Sequence, residues 1–345
     1  MKILFFTDSH EDYLADSILH GLRSIYGSDC VDYPKCEVLY KNCPEYIKKE
    51  VRGNGFTLYS GLLDDIEIDR FNIAQKIKDG FFDLIVFSNI YTQFGYFIQY
   101  RPFLNGKNAI ILDGMDTSQP YPAAGFWWRR LYYWMLPSAI KDFLYFKREW
   151  TPDTHFTFAM RLLPAPIRRL LPQPKNLRKI SFSIPASKIS SAIPNKVKDF
   201  PKHIVDISVS KIVEGSHSNY AFDSESSYYE DLQSSKFGIT VKRAGWDCLR
   251  HYEIAANGAV ICFKDLDKKP KMCAPHGLSP LNTIIYKDAE DLSSQINALS
   301  KEEYTRMQME TNKWIKLNTT TEIAKRVISE WKEYTNCSLG ESATF

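Results

Sequence analysis

Short, unbroken apolar runs recur along this chain, and each leads into a polar loop or a stretch with helical periodicity. "KILFF" precedes "TDSHED" and then "YLADSILHGLRSIYG", in which Leu14, Ile18, Leu22 and Ile25 share one face of a helix. "DRFNIAQKIKDG" predicts a helix stopped by Gly80, ahead of the strand pattern "FFDLIVFSN", and "KNAIILDGMD" repeats the strand. In the second half "KHIVDISV", "KFGITVK", "AVICF" and "NTIIY" predict strands, with "SESSYYEDLQSS" and "DCLRHYEIAAN" as helices. Two more helices are expected over "KEEYTRMQMETNKWIKL" and "TTEIAKRVISEWKEYT". Runs that are apolar throughout, rather than alternating, are what parallel strands covered on both faces require. Strand, loop and helix in series therefore predict an open α/β architecture.

At 345 residues the chain is long for one core and comfortable as two domains. The expected division is an N-terminal Rossmann-like domain over 1–180, a linker over 181–200, a second domain over 201–315, and a terminal helix and tail over 316–345. Composition changes after Pro122, where "GFWWRRLYYWMLPSAIKDFLYFKREW" crowds aromatic and basic residues into an expected helix pair. With "MRLLPAPIRRLLPQPKNLRK" this makes an aromatic and basic helical insertion over about 122–180. "SFSIPASKISSAIPN" is rich in serine and proline without a period, as a linker would be. Two such halves enclose a cleft, and ligands collect beyond the carboxyl ends of parallel strands.

The bulk chemistry narrows the function. Forty-four basic and 41 acidic side chains give a net charge of +3, too even to predict a nucleic-acid binder. Seven cysteines, an odd number with no CxxC pair, argue against a disulfide framework and against a zinc site. No run approaches the roughly 20 apolar residues of a membrane span. No signal segment precedes the first strand, so a reduced, cytoplasmic protein is expected. GxGxxG and the phosphate-binding GxxxxGK[ST] are both absent, and "RGNGF" at 52–56 reads as a loop, so dinucleotide oxidoreductase and NTPase readings lose their main support.

The chemically dense stretch is "KRAGWDCLRHYEIAANGAVICF", residues 242–263. After the strand "KFGITVK" the loop "RAGW" sits at the strand's carboxyl end, with Gly245 allowing a tight turn and Asp247 placed to cap the next helix. A helix N-terminus beside arginine is an anion site. Arg250, Glu253 and Asn257 share one helix face, while Leu249, Tyr252 and Ala256 line the adjoining one. Arg250 and Glu253 read two ways: as a salt bridge within one helix, or as a fork for phosphate beside a carboxylate that accepts from a vicinal diol.

"RHYEIAANGAVICF" resembles the Arg-x-x-Glu-x-x-Ala-x-Gly helix and strand of GT-B glycosyltransferases, most closely the bacterial family 1-like and spore-maturation-protein-like branch. "YYEDLQSSKFGIT", "DAEDLSSQINAL" and "FKRE" at Phe146–Glu149 resemble the same branch. The resemblance is good over about 225–315 and covers the N-terminal half only in outline. It implies a GT-B-like fold: two Rossmann-like domains facing across a cleft, with C-terminal helices crossing back. It further implies a nucleotide-sugar donor on the C-terminal domain, ribose hydroxyls on Glu253, and no cofactor or metal. Many retaining members carry a further glutamate where this chain has Gly245, which leaves the stereochemistry open.

Lys242, Arg243, Gly245, Trp246, Arg250, Tyr252 and Glu253 are therefore the expected donor-binding set, with the two arginines and Lys242 facing phosphate. For the catalytic base, the loop after the first strand offers Asp8 and His10, with Asp12 beside them; Asp113 and Asp116 at another strand end are the rivals. The alternative is that Asp8 or Ser9 only caps the following helix. The expected function is transfer of a sugar from the donor to a saccharide or lipid-linked saccharide, in bacterial surface-polysaccharide (O-antigen or capsule) synthesis. A sugar-nucleotide epimerase and a non-catalytic nucleotide- or carbohydrate-binding protein are the alternatives. Trp127, Tyr132, Tyr133 and Trp134 read either as a core or, with Arg129, Arg130, Lys141, Arg161, Arg168, Arg169, Lys175, Arg178 and Lys179, as a peripheral patch for anionic lipid on the inner face of the cell membrane.

Overall fold

The computed structural model describes residues 1–8, 10–48, 58–119, 142–152, 154, 160, 162–168, 170–171, 174–219 and 222–341. Six strands form the first sheet: β1 (Ile3–Phe6), β2 (Cys30–Tyr33), β3 (Leu84–Phe87), β4 (Ala109–Asp113), β5 (Leu144–Lys147) and β6 (Leu177–Lys179), ordered β2-β1-β3-β4-β5-β6 and all parallel. The second sheet has β7 (Phe237–Thr240), β8 (Val260–Lys264) and β9 (Thr283–Tyr286), also parallel. The helices that matter below are α1 (Tyr13–Tyr26), α2 (Ile73–Lys78), α3 (Phe94–Tyr100), α4 (Glu225–Ser234), α5 (Leu249–Ala256), α6 (Ala289–Ala298), α7 (Lys301–Lys316) and α8 (Thr320–Glu341).

The unbroken apolar runs have the cause that their pattern predicts. Leu4, Phe6, Ile85, Phe87 and Ile111 join one core layer, and Ile3, Phe5, Leu84, Val86 and Ile110 join the other, so successive residues are buried on opposite faces. The helices start and stop on local chemistry. Asp12 caps α1 by accepting from the amides of Leu14 (3.0 Å) and Ala15 (3.1 Å), so capping, the alternative role for Asp8 or Ser9, falls to Asp12. Gly80, at φ +67°, follows α2, and Gly258, at φ +70°, follows α5, both in the left-handed region. Ser300 and Glu303 close a capping box on α7.

Two expectations fail. "KHIVDISV" is not a strand: His203 makes a single bridge to His217, and Asp206 turns the chain into one helical turn by accepting from the Ser208 amide at 2.9 Å. A short alternating pattern looks the same in a turn and in a strand until the side-chain bond is seen. The helix pair expected over 125–150 is also wrong at its end, because Leu144–Lys147 is a central strand. Its Lys147 misled, for the side chain is wholly buried against Asp113 at 2.8 Å. The rest of that segment, with Trp127, Arg129, Arg130, Tyr132, Tyr133, Trp134 and Lys141, lies outside the described residues, as do Ser9, Arg161 and Arg169.

The last helix crosses back to the first domain. Gly21 of α1 meets its start so closely that a Cβ there would lie 2.1 Å from the Thr320 carbonyl oxygen. The linker is tied to the same place: Ile184 donates to the Asn318 carbonyl (3.2 Å) and accepts from the Thr320 amide (2.9 Å). No helix among the described residues is long and apolar enough to cross a membrane.

Candidate active site between the two sheets

Parallel strands send their loops out at one end, so the carboxyl ends of β1, β3, β4 and β5 share one edge of the first sheet. Loop 241–248, after β7, meets that edge. On the first-domain wall Asp8 is braced by its neighbours. The Thr92 hydroxyl donates to Oδ2 at 2.6 Å, and Gln93 Nε2 donates to Oδ1 at 3.4 Å while also donating to the Phe6 carbonyl at 3.1 Å. Asn89 Nδ2 reaches Asp12 Oδ2 at 3.4 Å. His10 is exposed beside them. Burial raises the Asp12 carboxyl despite its two amide donors, and it raises buried Asp16 well above the ordinary range, with Asp12 and Glu11 adding repulsion. Asn89, Thr92 and Gln93 went unseen in the sequence, since nothing local marks a loop that braces another strand end.

The two rival acids separate. Asp113 is 2% exposed and fully engaged: the Tyr145 hydroxyl donates at 2.5 Å, Lys147 Nζ at 2.8 Å and the Met115 amide at 3.1 Å. It belongs to the sheet interior, not to the cleft. Asp116 has half of its side chain open, 52%, and is held by Arg148.

On the facing wall Lys242 and Arg243 are exposed, and Lys242 Nζ stands 5.1 Å over the Trp246 ring. Gly245 is buried without a positive φ, so it does not serve as the tight turn that the sequence reading gave it. A Cβ there would fall 2.6 Å from both Asp116 Oδ1 and Glu149 Oε1. The glycine provides room. Asp247 does not cap α5 either. It accepts from the Phe182 amide (2.8 Å) and the Tyr252 hydroxyl (3.0 Å), which ties the linker to the helix, while Cys248 is the residue preceding α5. Tyr252 is wholly buried, committed to that bond and to stacking on Trp314 at 5.3 Å, so it supports the wall from behind.

Arg250 and Glu253 are both partly buried. Burial pushes Glu253 up to about 7, against the lowering effect of Arg250 and with Glu225 repelling it; Tyr228 donates to it at 3.4 Å. Glu225 is itself paired with Lys188 from the linker. His203 is lowered first by burial and then by the positive charges of Arg250 and Arg243. Burial raises the Cys248 thiol, but His251 at 3.5 Å and Arg250 overcome it and hold it down to about 6. His251 in turn bonds the Trp246 carbonyl at 3.0 Å. His217 pairs with His203, His20 bonds Thr320 Oγ1 (2.8 Å), and His276 is pushed down to about 3 by burial.

A depression of 870 Å³ lies behind this domain at the amino end of β7, lined by Ile193, Lys196, Phe237, Ile296 and Tyr304. Burial lowers Lys196 to about 7, and its ammonium is spent on the carbonyls of Leu232, Gln233 and Asn257. That depression has no convergent chemistry, so the cleft is the better site. Among the described residues no three His, Cys, Asp or Glu side chains are arranged to hold a metal ion. Cations, a helix start and a carboxylate on one wall suit an anion bearing a diol; acids and a histidine on the other suit a hydroxyl that must lose a proton.

Neither a family model nor a curated protein matches the sequence. Solved structures do match in shape. A glycosyltransferase from Rickettsia africae superposes with a TM-score of 0.53 at 10% identity, over 96% of this chain and 98% of that one. Alr3699/HepE from Anabaena in complex with UDP-glucose gives 0.53 at 9% identity, over 96% and 100%. The same protein with UDP gives 0.54. The chain therefore has the two-domain GT-B fold of these glycosyltransferases, with Rossmann-like halves facing across a cleft.

Proposed function

We propose that the protein transfers a sugar from a nucleotide-sugar donor to a saccharide or lipid-linked saccharide, in assembly of bacterial surface polysaccharide. One observation carries the reading: Arg250 and the partly buried carboxylate of Glu253 stand one turn apart on α5, and Lys242 and Arg243 are exposed on the loop that leads into that helix. That grouping fits a diphosphate joined to a ribose, with Lys242 closing over it. HepE, similar in fold, was crystallised with UDP-glucose, which makes UDP the first nucleotide to try. In the reaction the bond from the anomeric carbon to the diphosphate oxygen breaks and the acceptor oxygen takes its place. The acceptor proton goes to His10, Asp8 or Asp116, and the diphosphate leaves with its charge balanced by Lys242, Arg243 and Arg250, without need of a metal. Turnover that survives EDTA supports this; turnover that requires magnesium contradicts it.

Association with an anionic membrane belongs to the same reading. Leu162 and Leu170 are 73% and 83% exposed, within a stretch, 154–198, that contains no aspartate or glutamate. Flotation with anionic vesicles at low and high salt tests it. For the site, thermal shift against UDP, dTDP, GDP and CMP is decisive. A ligand at a hundred times its Kd adds about 2.7 kcal/mol. Stabilisation by one of them, lost in Glu253→Ala, is expected; no shift with any of the four ends the reading.

A further inference from the structure

Among the described residues Arg148 is the largest of the fully buried side chains, 1% exposed, and it stands between the domains. Every arm of its guanidinium is used. Nε donates to the Gly114 carbonyl (3.0 Å), Nη1 to the Asp247 carbonyl (3.0 Å) and to Glu149 Oε1 (3.0 Å), and Nη2 to Asp116, while Cζ lies 4.5 Å from the centre of the Phe182 ring. Its neighbour Glu149 also reaches toward the second domain. Oε1 accepts from the amides of Trp246 (2.9 Å) and Asp247 (3.3 Å), and Oε2 from the Cys273 thiol (2.8 Å). The Arg148 carbonyl accepts from the Ala274 amide at 3.0 Å. Two adjacent residues at the end of β5 thus join the end of β4 to loop 243–247 across the floor of the cleft.

A buried ion pair is a poor way to gain stability, because apolar packing of the same volume does as well. What it supplies is direction. Arg148 leaves half of the Asp116 side chain open to the cleft but fixes the carboxylate against the loop that faces the donor. Gly245 is the gap that allows it, since a methyl there would lie 2.6 Å from Asp116 and Glu149 and 3.0 Å from Arg148 Nη1.

We propose that Arg148 and Glu149 are positioning residues for the transfer, holding the acceptor-side carboxylate Asp116 and the donor-side loop 243–247 at one fixed spacing. The inference rests on the glycosyl-transfer reading above. Displacing reacting groups by about an ångström costs about a hundredfold in rate without removing any contact to the ligand. Arg148→Lys retains charge but loses the planar fork, and Gly245→Ala fills the gap. The assay is release of nucleotide from UDP-glucose, dTDP-glucose, GDP-mannose or CMP-neuraminic acid, whichever the wild type turns over, with nucleotide Kd by calorimetry and melting temperature alongside. Both variants are expected to keep Kd and KM within about threefold while kcat falls between about tenfold and a hundredfold. Glu149→Gln, which keeps an oxygen for the two amides, should retain more kcat than Glu149→Ala. A purely structural pair would lower the melting temperature and leave kcat per folded molecule and this rescue unchanged. Wild-type kcat in Arg148→Lys, a loss carried by Kd alone, or Glu149→Gln no better than Glu149→Ala each overturns the role. A wild type that binds and turns over none of these donors removes the transfer reading and the role with it.

Discussion

Glu253→Gln should make the protein more stable at pH 8 and much less so at pH 5. The carboxyl is pushed from an ordinary 4.5 up to about 7, first by burial and then by Glu225, with Arg250 only partly offsetting them. Between those two values the folded state holds a proton that the unfolded chain has lost. Stability therefore falls as pH rises through that window and levels off above it. At about 1.4 kcal/mol per pH unit the gap corresponds to about 3 kcal/mol of cost at pH 8, when the group is charged in both states. Glutamine has the same shape and no charge to bury. Calorimetric melting of wild type and variant at pH 5 and pH 8 measures it: a gain of about 2–3 kcal/mol at pH 8, and less than about 1 kcal/mol at pH 5. Calorimetric titration with UDP should show the opposite trend, with affinity falling at least about tenfold as a charged acceptor for the ribose diol is lost. A variant no more stable than wild type at pH 8, or equally stabilised at both pH values, would refute the claim that Glu253 is held in place against its own solvation.

Asp32, wholly buried, accepts from Arg23 (2.7 Å), Arg70 (2.5 Å) and the Tyr40 hydroxyl (2.8 Å), so Asp32→Ala leaves two arginines uncompensated and should cost about 3–5 kcal/mol in urea unfolding. A loss below about 1 kcal/mol would mean that water reaches the group. Gly21→Ala places a methyl against the Thr320 carbonyl and should cost about 1–3 kcal/mol, read as a lower melting temperature; unchanged melting would show that α8 shifts freely on α1. Iodoacetamide at pH 7 should label Cys248 ahead of buried Cys30, Cys36 and Cys262, with a rate that rises through a midpoint near pH 6, as mass mapping of the labelled peptides would show. A midpoint above about 8 would mean that His251 does not hold the thiolate.

Much of the architecture could be read from residues near one another in the chain. Apolar runs such as "LIVF" and "AIILD" declare buried parallel strands because both faces of such a sheet must exclude water. Gly80 and Gly258 mark helix ends because few other residues adopt their backbone angles. The face shared by Arg250 and Glu253 follows from helical spacing alone. The failures are those of local reading. β5 carries buried Lys147, whose charge is acceptable only because Asp113, 34 residues earlier, lies beside it. Gly245 looked like a turn glycine, and the reason for it, the carboxylate of Glu149, comes from a strand end in the other domain.

The sequence by itself determined β1, β3, β4, β7, β8 and β9, the α/β class and the helix that presents Arg250 and Glu253, because each depends on interactions within a few residues. The tertiary structure alone decided that Asp113 is interior and Asp116 open, that Arg148 and Glu149 span the cleft floor, and that Glu253 is buried enough to hold its proton near neutral pH. Burial and pairing between distant segments set the charge state of a side chain, and neither is written in the residues beside it.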